Sequence, residues 1–204
     1  MIGAAMLEQV SRDIRTWLDL GLDCGRTAVN ISAAEFRQRS LAESVLKCLY
    51  RHDIPTRFFE VEVTESVFLA ASSDYVFEAL SALKQAGVLV ALDDFGTGFA
   101  SLIHLKKFPV GHLKIDKSFV HGLADSSEDI AIVGGVTSLA RNLNMLVTAE
   151  GVETATQATL LRDMGCDFAQ GYLYAKPMIG TRVPEFLRTW NAHRRQDGSL
   201  QRSA

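Results

Sequence analysis

A chain of 204 residues is long enough to bury one sizeable hydrophobic core, and no stretch of it clearly separates two domains. Apolar residues make up 48% and charged residues 22% of the sequence, which is typical of an ordinary globular protein. The formal net charge of −3 argues against a protein that coats DNA or RNA, but it does not exclude a small nucleotide in a pocket.

Apolar residues at helical spacing predict three helices in the first half of the chain. The first covers about residues 4–20. The second opens at a capping box, Ser32–Glu35, and runs to about Arg51. The third runs from about Asp74 to Ala86, where Gly87 closes it.

Three more helices are predicted in the second half of the chain. One begins at Ser126, the next follows a capping box at Thr154–Gln157, and the last covers about residues 184–190. We therefore expect a single domain over residues 1–190. Residues 191–204 are polar and basic, and we predict a disordered tail there.

Six short apolar segments alternate with these helices, and each ends on a side chain that offers an oxygen ligand or a cation. Regular alternation predicts parallel strands joined by crossovers, hence a doubly wound sheet or an α/β barrel. Polar residues at nearly every strand end favour the barrel, because barrel active sites lie where the strands end. These end residues are Asn30, Glu62, Asp93 with Asp94, Lys114, Glu150 and Gln170.

Two adjacent carboxylates, Asp93 and Asp94, follow the apolar run 88–92 and lead into a glycine-bearing loop. Neighbouring side chains of a regular strand point to opposite faces, so this pair converges only where the backbone turns. Gly96 and Gly98 supply that freedom. Converging carboxylates repel each other unless a cation or a proton lies between them. The pair therefore indicates a divalent metal site, with a solvated strand end that caps a turn as the alternative.

The cysteines and the N-terminal residues bear on the compartment. Cys24, Cys48 and Cys166 are widely separated and lack metal-site spacing, so they indicate core thiols in a reducing compartment. Charged residues interrupt the apolar positions of residues 1–20, which excludes a signal peptide or a membrane span there. We expect a cytoplasmic protein with no membrane segment in this chain.

Several motifs occur in the order that is typical of one known family. The chain resembles the EAL domain from about Leu7 to Pro177. The resemblance implies a TIM-like (β/α) barrel of a bacterial signalling protein that hydrolyses cyclic di-GMP to linear pGpG with two Mg²⁺ or Mn²⁺ ions. The motifs are Val29–Ser32, Glu60–Ser66, Asp93–Gly98, Leu113–Asp116, Ala149–Glu153 and Gln170–Tyr172.

The resemblance also implies roles for individual residues. Lys114 orients the attacking water, and Glu150 acts as a metal ligand or general base at the second site. Glu65 anchors the loop that follows the aspartate pair, while Gln170 and Glu153 line the substrate site. The implied metal ligands are Asn30, Glu62, Asp93, which bridges both ions, and Asp94.

The glutamate of the motif that names the family has no counterpart at the expected place. The match Glu78–Leu80 lies within a predicted helix, with Leu80 in the core and Glu78 in solvent, so we interpret it as a coincidence. We therefore expect a barrel incomplete at its N-terminus that lacks the first strand, one metal ligand and one substrate arginine. These residues alone should show low activity.

Two alternatives to hydrolysis remain open at this point. The chain could be a degenerate module that binds cyclic di-GMP or a protein partner without turnover, or an unrelated metal-dependent barrel hydrolase or lyase. The family further suggests a homodimer and an upstream regulatory or sensor domain.

Other polar residues near the motifs have simpler interpretations. We interpret Glu60 as a salt-bridge or surface residue and Asp116 as a residue that shapes the following turn. The three histidines His104, His112 and His121 lack ligand spacing, which indicates surface or packing positions.

Overall fold

Six parallel strands form one sheet in the computed structural model, and their order in the sheet is their order along the chain. The structure describes residues 2–38, 40–70, 73–96 and 102–196. The six predicted strands are confirmed. The strands are β1 (Thr27–Asn30), β2 (Phe59–Thr64), β3 (Leu89–Phe95), β4 (His112–Ile115), β5 (Leu146–Ala149) and β6 (Phe168–Ala169). However, β2 continues two residues past Glu62, and β3 and β4 continue one residue past Asp94 and Lys114.

Helices connect successive strands and cover the outer face of the sheet, as parallel strands require. In the part of the chain that the structure describes, no helix is long and apolar enough to cross a bilayer. The helices are α1 (Ile2–Asp19), α2 (Leu41–Arg51), α3 (Glu65–Ala70), α4 (Ser73–Gln85), α5 (Leu102–Lys107), α6 (Lys117–His121), α7 (Ser127–Asn142), α8 (Ala155–Met164) and α9 (Val183–Gln196).

The sheet is an open half-barrel. Each strand pairs with its sequence neighbours, and within the described residues β1 and β6 do not pair with each other. The fold is thus a TIM-like arrangement of parallel strands and helices with fewer strands than a closed barrel. The prediction of an incomplete α/β barrel is confirmed.

Helix caps explain where several predicted helices begin. The Ser126 hydroxyl accepts a hydrogen bond from the Asp129 amide at 3.1 Å, and Thr154 forms the expected capping box with Gln157. The last helix continues beyond the predicted end near Trp190 to Gln196, and residues 197–204 lie outside the described part.

One predicted helix start is wrong. The Glu35 carboxylate accepts hydrogen bonds from the amide and hydroxyl of Ser32, as half of a capping box, but only a 3₁₀ turn, Glu35–Arg37, follows. Gln38 then adopts an extended backbone with ψ of 110°, so the turn cannot continue as a helix. Helix α2 begins only at Leu41.

Strand β2 shows how the fold positions polar groups in the interior. Phe59, Val61 and Val63 are fully buried on the face toward the hydrophobic core. Glu60 and Glu62 alternate with them and are also buried, at 4% and 6% exposure. Since successive side chains of a strand point to opposite faces, the inner face of the half-barrel carries buried carboxylates.

Candidate active site

Two layers of polar side chains cover the inner face of β2 to β5, because side chains two residues apart on a strand share one face. We call the layer near the carboxyl ends of the strands the upper layer and the one beneath it the lower layer. The upper layer consists of Glu62, Asp93, Asp94, Lys114 and Glu150, and the lower layer of Glu60, His112 and Thr148.

Lys114 lies at the centre of the upper layer and is only 4% exposed. Its Nζ is 2.7 Å from Glu62 Oε1, 3.2 Å from Asp93 Oδ1 and 2.5 Å from Glu150 Oε1. An ammonium has three donors, and these three carboxylates take up all of them. A lysine at the end of a strand is usually exposed, so its burial here is a specific feature of the site.

A β-bulge brings Asp94 to the same side as Asp93. Leu92 pairs with Leu113 but Phe95 pairs with Ile115, so β3 contains one extra residue between them. Asp94 has a φ of 54°, in the left-handed region that Asp tolerates better than most residues. The carboxylate oxygens of Asp93, Asp94 and Glu150 consequently lie within 4.8 Å of one another.

This geometry corrects the sequence interpretation of the aspartate pair. The carboxylates converge inside β3, through the backbone of Asp94 itself, and not in a glycine turn after the strand. Gly96 does have a φ of 101°, but it follows the bulge. Gly98 lies outside the described residues.

Burial opposes the negative charges of the upper layer. It raises the pKa of Glu62 and Glu150, and the nearby Lys114 offsets that effect only in part. Burial also raises the pKa of Asp94, to which the charge of Asp93 adds. Burial alone would lower the pKa of Lys114, but the charge of Glu62 and the hydrogen bond to Glu150 outweigh it, so this pKa is raised.

Glu65 connects β2 to the backbone that follows the aspartate pair. It is the first residue of α3, is 6% exposed, and its Oε1 accepts a hydrogen bond from the Gly96 amide at 3.2 Å. This is a contact of the kind that the resemblance implies for Glu65. The hydrogen bond fixes the start of the segment that leaves the bulge.

The remaining predicted site residues lie around the upper layer. Asn30 ends β1, pairs in register with Glu62 and has an exposed side chain. The exposed Gln170 follows β6, and its backbone amide donates a hydrogen bond to the Ala149 carbonyl at 2.8 Å. Glu153 is exposed, with Oε1 4.0 Å from His121 Nε2. All three lie at the carboxyl ends of the strands, but within the described residues no side-chain hydrogen bond or ion pair joins them to the side chains of the upper layer.

The lower layer is a buried hydrogen-bonded group that sequence analysis did not identify. His112 Nδ1 is 2.8 Å from Glu60 Oε1, and His112 Nε2 is 2.7 Å from Thr148 Oγ1. Its three members are at most 4% exposed. Glu60 thus pairs with His112, in line with the interpretation as a salt-bridge residue, but it is buried and is not a surface residue. The sequence does contain a signal for this group: Glu60 and His112 lie two positions before Glu62 and Lys114, and residues two apart on a strand share one face.

Asp116 has the structural role that the sequence indicates. Its side chain accepts a hydrogen bond from the Ser118 amide at 2.9 Å and caps the start of α6. The prediction that Asp116 shapes this turn is confirmed. The exposed Glu78 and the buried Leu80 likewise confirm that the Glu78–Leu80 match lies on a helix away from the site.

The donor set of the upper layer fits divalent cations that prefer oxygen. Four carboxylates converge around one ammonium, which leaves an excess of negative charge in a largely buried place. Hard ions such as Mg²⁺ and Mn²⁺ bind oxygen ligands of this kind. The fold and this site together define an α/β half-barrel protein with a carboxylate-rich centre at the carboxyl ends of its strands.

Comparison with known proteins identifies the family. Residues 1–177 match the EAL domain, and the chain belongs to that family. It is 42% identical over 179 residues to the bifunctional diguanylate cyclase/cyclic di-GMP phosphodiesterase MucR of Pseudomonas aeruginosa, which covers 87% of this chain and 26% of MucR. It is 36% identical over 185 residues to the cyclic di-GMP phosphodiesterase NbdA of the same organism, covering 91% of this chain and 24% of NbdA.

The chain therefore spans about a quarter of the length of these curated relatives. Among solved structures, the MucR phosphodiesterase in complex with c-di-GMP superposes with a TM-score of 0.82 at 40% identity, over 89% of this chain and 73% of that one. The EAL domain of Mycobacterium smegmatis DcpA gives a TM-score of 0.88 at 34% identity, over 93% and 85%. Klebsiella pneumoniae BlrP1, solved with manganese and cyclic di-GMP, gives 0.76 at 27% identity, over 85% and 44%.

Proposed function

We propose that this chain hydrolyses cyclic di-GMP to linear pGpG in bacterial second-messenger signalling. The observation that carries the proposal is the buried Lys114 among Glu62, Asp93 and Glu150, with Asp94 brought to the same side by a bulge. Relatives named as cyclic di-GMP phosphodiesterases support the choice of substrate.

Two divalent ions, Mg²⁺ or Mn²⁺, would be held by the oxygen atoms of the upper layer together with the Asn30 side chain. When bound, such ions lower the pKa of water and stabilise the leaving oxygen of a phosphodiester. The excess of carboxylate over ammonium supports this assignment, because burial disfavours that charge unless cations compensate it. The side chains that would hold the ions are those of Asn30, Glu62, Asp93 and Asp94.

Lys114 and Glu150 are the residues that we propose to act on the reacting groups. The Lys114 ammonium would orient the attacking water and offset the negative charge that develops on the phosphorus oxygens. The water oxygen forms the new bond to phosphorus, and Glu150 receives the proton that the water loses. The bond from phosphorus to the ribose oxygen breaks, and that oxygen takes up a proton from solvent. Their contact of 2.5 Å would keep both groups charged before substrate binds.

Three residues around the upper layer would position the substrate and the backbone that follows the aspartate pair. Gln170 and Glu153 are exposed at the rim, where they would contact the nucleotide. Glu65 would act indirectly, since its hydrogen bond to Gly96 holds the backbone that follows Asp94.

One observation favours a second candidate, a module that binds cyclic di-GMP or a protein partner without turnover. Lys114 already pairs with three carboxylates, so the cluster is partly compensated without added cations. A receptor needs no more than such a preformed pocket, whereas hydrolysis needs metal ions as well.

Product analysis separates the two candidates. The chain is incubated with cyclic di-GMP in Mn²⁺ or Mg²⁺, and pGpG is followed by chromatography. Asp93→Asn is compared with the control Asp74→Asn, at an exposed position of α4. We expect low turnover that the control retains and Asp93→Asn loses. Binding of cyclic di-GMP without pGpG would contradict hydrolysis and favour the binding module, and turnover that survives Asp93→Asn would contradict the site assignment.

A further inference from the structure

A second group of possible metal ligands lies far from the strand ends, between α1 and α2. Cys48 and His52 are one helical turn apart at the end of α2, and Glu8 faces them from α1. Cys48 Sγ is 3.3 Å from Glu8 Oε2, and His52 Nε2 is 2.8 Å from Glu8 Oε1. The sulfur, nitrogen and oxygen donors all lie within 4.8 Å of one another.

We propose that Glu8, Cys48 and His52 form a binding site for zinc or a similar transition metal that fastens α1 to α2. The proposal rests on the identity of the three donors and on their separations. Thiolate, imidazole and carboxylate are each zinc ligands, and three protein ligands leave a fourth position open for water.

The separations suit a tetrahedral ion. Zinc bonds of about 2.0–2.3 Å place neighbouring ligand atoms roughly 3.3–3.7 Å apart. Cys48 Sγ is 3.3 Å from Glu8 Oε2, which is close to that value. His52 Nε2 is 2.8 Å from the other oxygen, Oε1, so an ion held by one Glu8 oxygen requires the side chains to move by at least about half an ångström. His52 directly follows α2, four residues after Cys48, and this spacing places the two side chains on one face, as in helical zinc motifs.

A metal ion would replace hydrogen bonds among these three side chains, so protons must leave the ligand atoms when it binds. Burial raises the pKa of the Cys48 thiol, so the sulfur carries a proton in the absence of metal. Binding releases that proton and breaks its hydrogen bond to Glu8. His52 coordinates through Nε2 as the neutral ring, so the Nε2 proton that it donates to Glu8 moves to Nδ1 or leaves to solvent. The Arg51 guanidinium, which is 3.1 Å from Glu8 Oε2 and largely exposed, can turn into solvent.

An ion can reach the site from solvent, and a neighbouring hydroxyl can hydrogen-bond to one of its ligands. Cys48 is buried, whereas the side chains of His52 and Glu8 are 17% and 29% exposed, so an ion can enter from one side. The Ser11 hydroxyl lies 3.4 Å from Cys48 Sγ and can donate a hydrogen bond to the thiolate. Because thiolate and imidazole select zinc over magnesium, this site would differ in ion preference from the upper layer.

Cobalt(II) is a suitable probe, since a cysteine thiolate bound to it gives a charge-transfer absorption in the near ultraviolet. The whole chain is titrated with Co²⁺ and then with Zn²⁺ as competitor, in an excess of Mg²⁺. Matched controls are Cys24→Ser, a partly buried thiol elsewhere, and Asp93→Asn, which impairs the upper layer. The test variants are Cys48→Ser and His52→Gln.

We expect the absorption in the unmodified chain and in both controls, and its loss in Cys48→Ser. His52→Gln should weaken Zn²⁺ binding by more than about 100-fold, because even partners beyond the ligands change metal affinity by about 10–100-fold. Zn²⁺ should also raise the Tm of the unmodified chain more than that of His52→Gln. No absorption in the unmodified chain, or one that survives Cys48→Ser, would show that the three residues are only a hydrogen-bonded contact between helices.

Discussion

The upper and lower layers of the half-barrel occupy the same face of the same strands, yet their charges are arranged differently. In the lower layer, one carboxylate, Glu60, meets one histidine, His112, which also contacts the Thr148 hydroxyl. In the upper layer, several carboxylates share the single ammonium of Lys114. The lower layer is a closed hydrogen-bonded group, whereas the upper layer retains an excess of negative charge.

This difference indicates that the polar groups of the lower layer stabilise the fold, whereas those of the upper layer serve a function. A buried polar group whose partners are all present costs little, and it fixes the positions of the strands that carry it. An excess of buried carboxylate destabilises a fold and persists only where it serves another purpose. We therefore expect that changes in the lower layer affect stability, and that changes in the upper layer affect metal binding and activity as well.

The largest expected effect follows from Lys114→Met. This change leaves Glu62 and Glu150 buried without their cation, which should cost about 3–5 kcal/mol of stability in the absence of metal. Mn²⁺ should restore part of the loss, because it compensates the same carboxylates. Urea unfolding with and without Mn²⁺ measures both effects, and the exposed Lys84→Met serves as control. A variant that Mn²⁺ does not stabilise would argue against a metal site in the upper layer.

His112→Leu should cost somewhat less, about 2–4 kcal/mol, since it leaves a single carboxylate, Glu60, buried without its partner. Mn²⁺ should not restore this stability. The double variant Glu60→Leu with His112→Leu removes both polar partners and should recover most of the loss. Urea unfolding of the three proteins is the measurement. If Mn²⁺ restored the stability of His112→Leu, the proposed difference between the two layers would be contradicted.

The upper layer should also make stability depend on pH. Since burial raises the pKa of Glu62 and Glu150 above the ordinary value of 4.5, they favour the folded state below pH 4.5, and this contribution is lost as pH rises through the raised pKa. The metal-free chain should thus lose stability above pH 4.5, by at most about 1.4 kcal/mol per pH unit for each group.

Urea unfolding at a series of pH values tests this dependence. Glu62→Gln should flatten the slope, whereas Glu128→Gln, at an exposed position of α7, should leave it unchanged. A slope that is the same in both variants would exclude Glu62 as its source.

The smallest effect is expected from Glu65→Gln. A neutral acceptor for the Gly96 amide weakens one hydrogen bond, which should cost about 1 kcal/mol and slow hydrolysis about tenfold through less exact placement of Asp94. The change should appear mainly in kcat, with KM little affected, and steady-state kinetics beside the exposed Glu78→Gln measures it. A loss confined to KM would indicate direct contact between Glu65 and substrate.

Much of the fold could be predicted from the sequence because its signals are local. Each strand is a short apolar run that stops at a polar residue, and the caps at Ser126 and Thr154 mark helix starts within four residues. The short helices α3, α5 and α6 could not be predicted, since five or six residues are too few to show a helical period.

The site was less accessible to sequence reasoning, because its geometry depends on contacts between distant residues. Glu60 and His112 are 52 positions apart, and no local pattern predicts their pairing. Lys114 in isolation would be interpreted as a surface residue, and only the carboxylates of β2, β3 and β5 explain its burial. The bulge at Asp94 depends on a backbone conformation that the glycines nearby suggest but do not locate.

The most direct test of the central claim, that the upper layer is a metal site, is a count of bound Mn²⁺ per chain. The count is made in a Cys48→Ser background, so that the proposed zinc site does not contribute, and it is compared with the same protein carrying Asp93→Asn. We predict two ions in the first protein and a marked loss of binding in the second. Equal binding in both, or no binding in either, would contradict the claim.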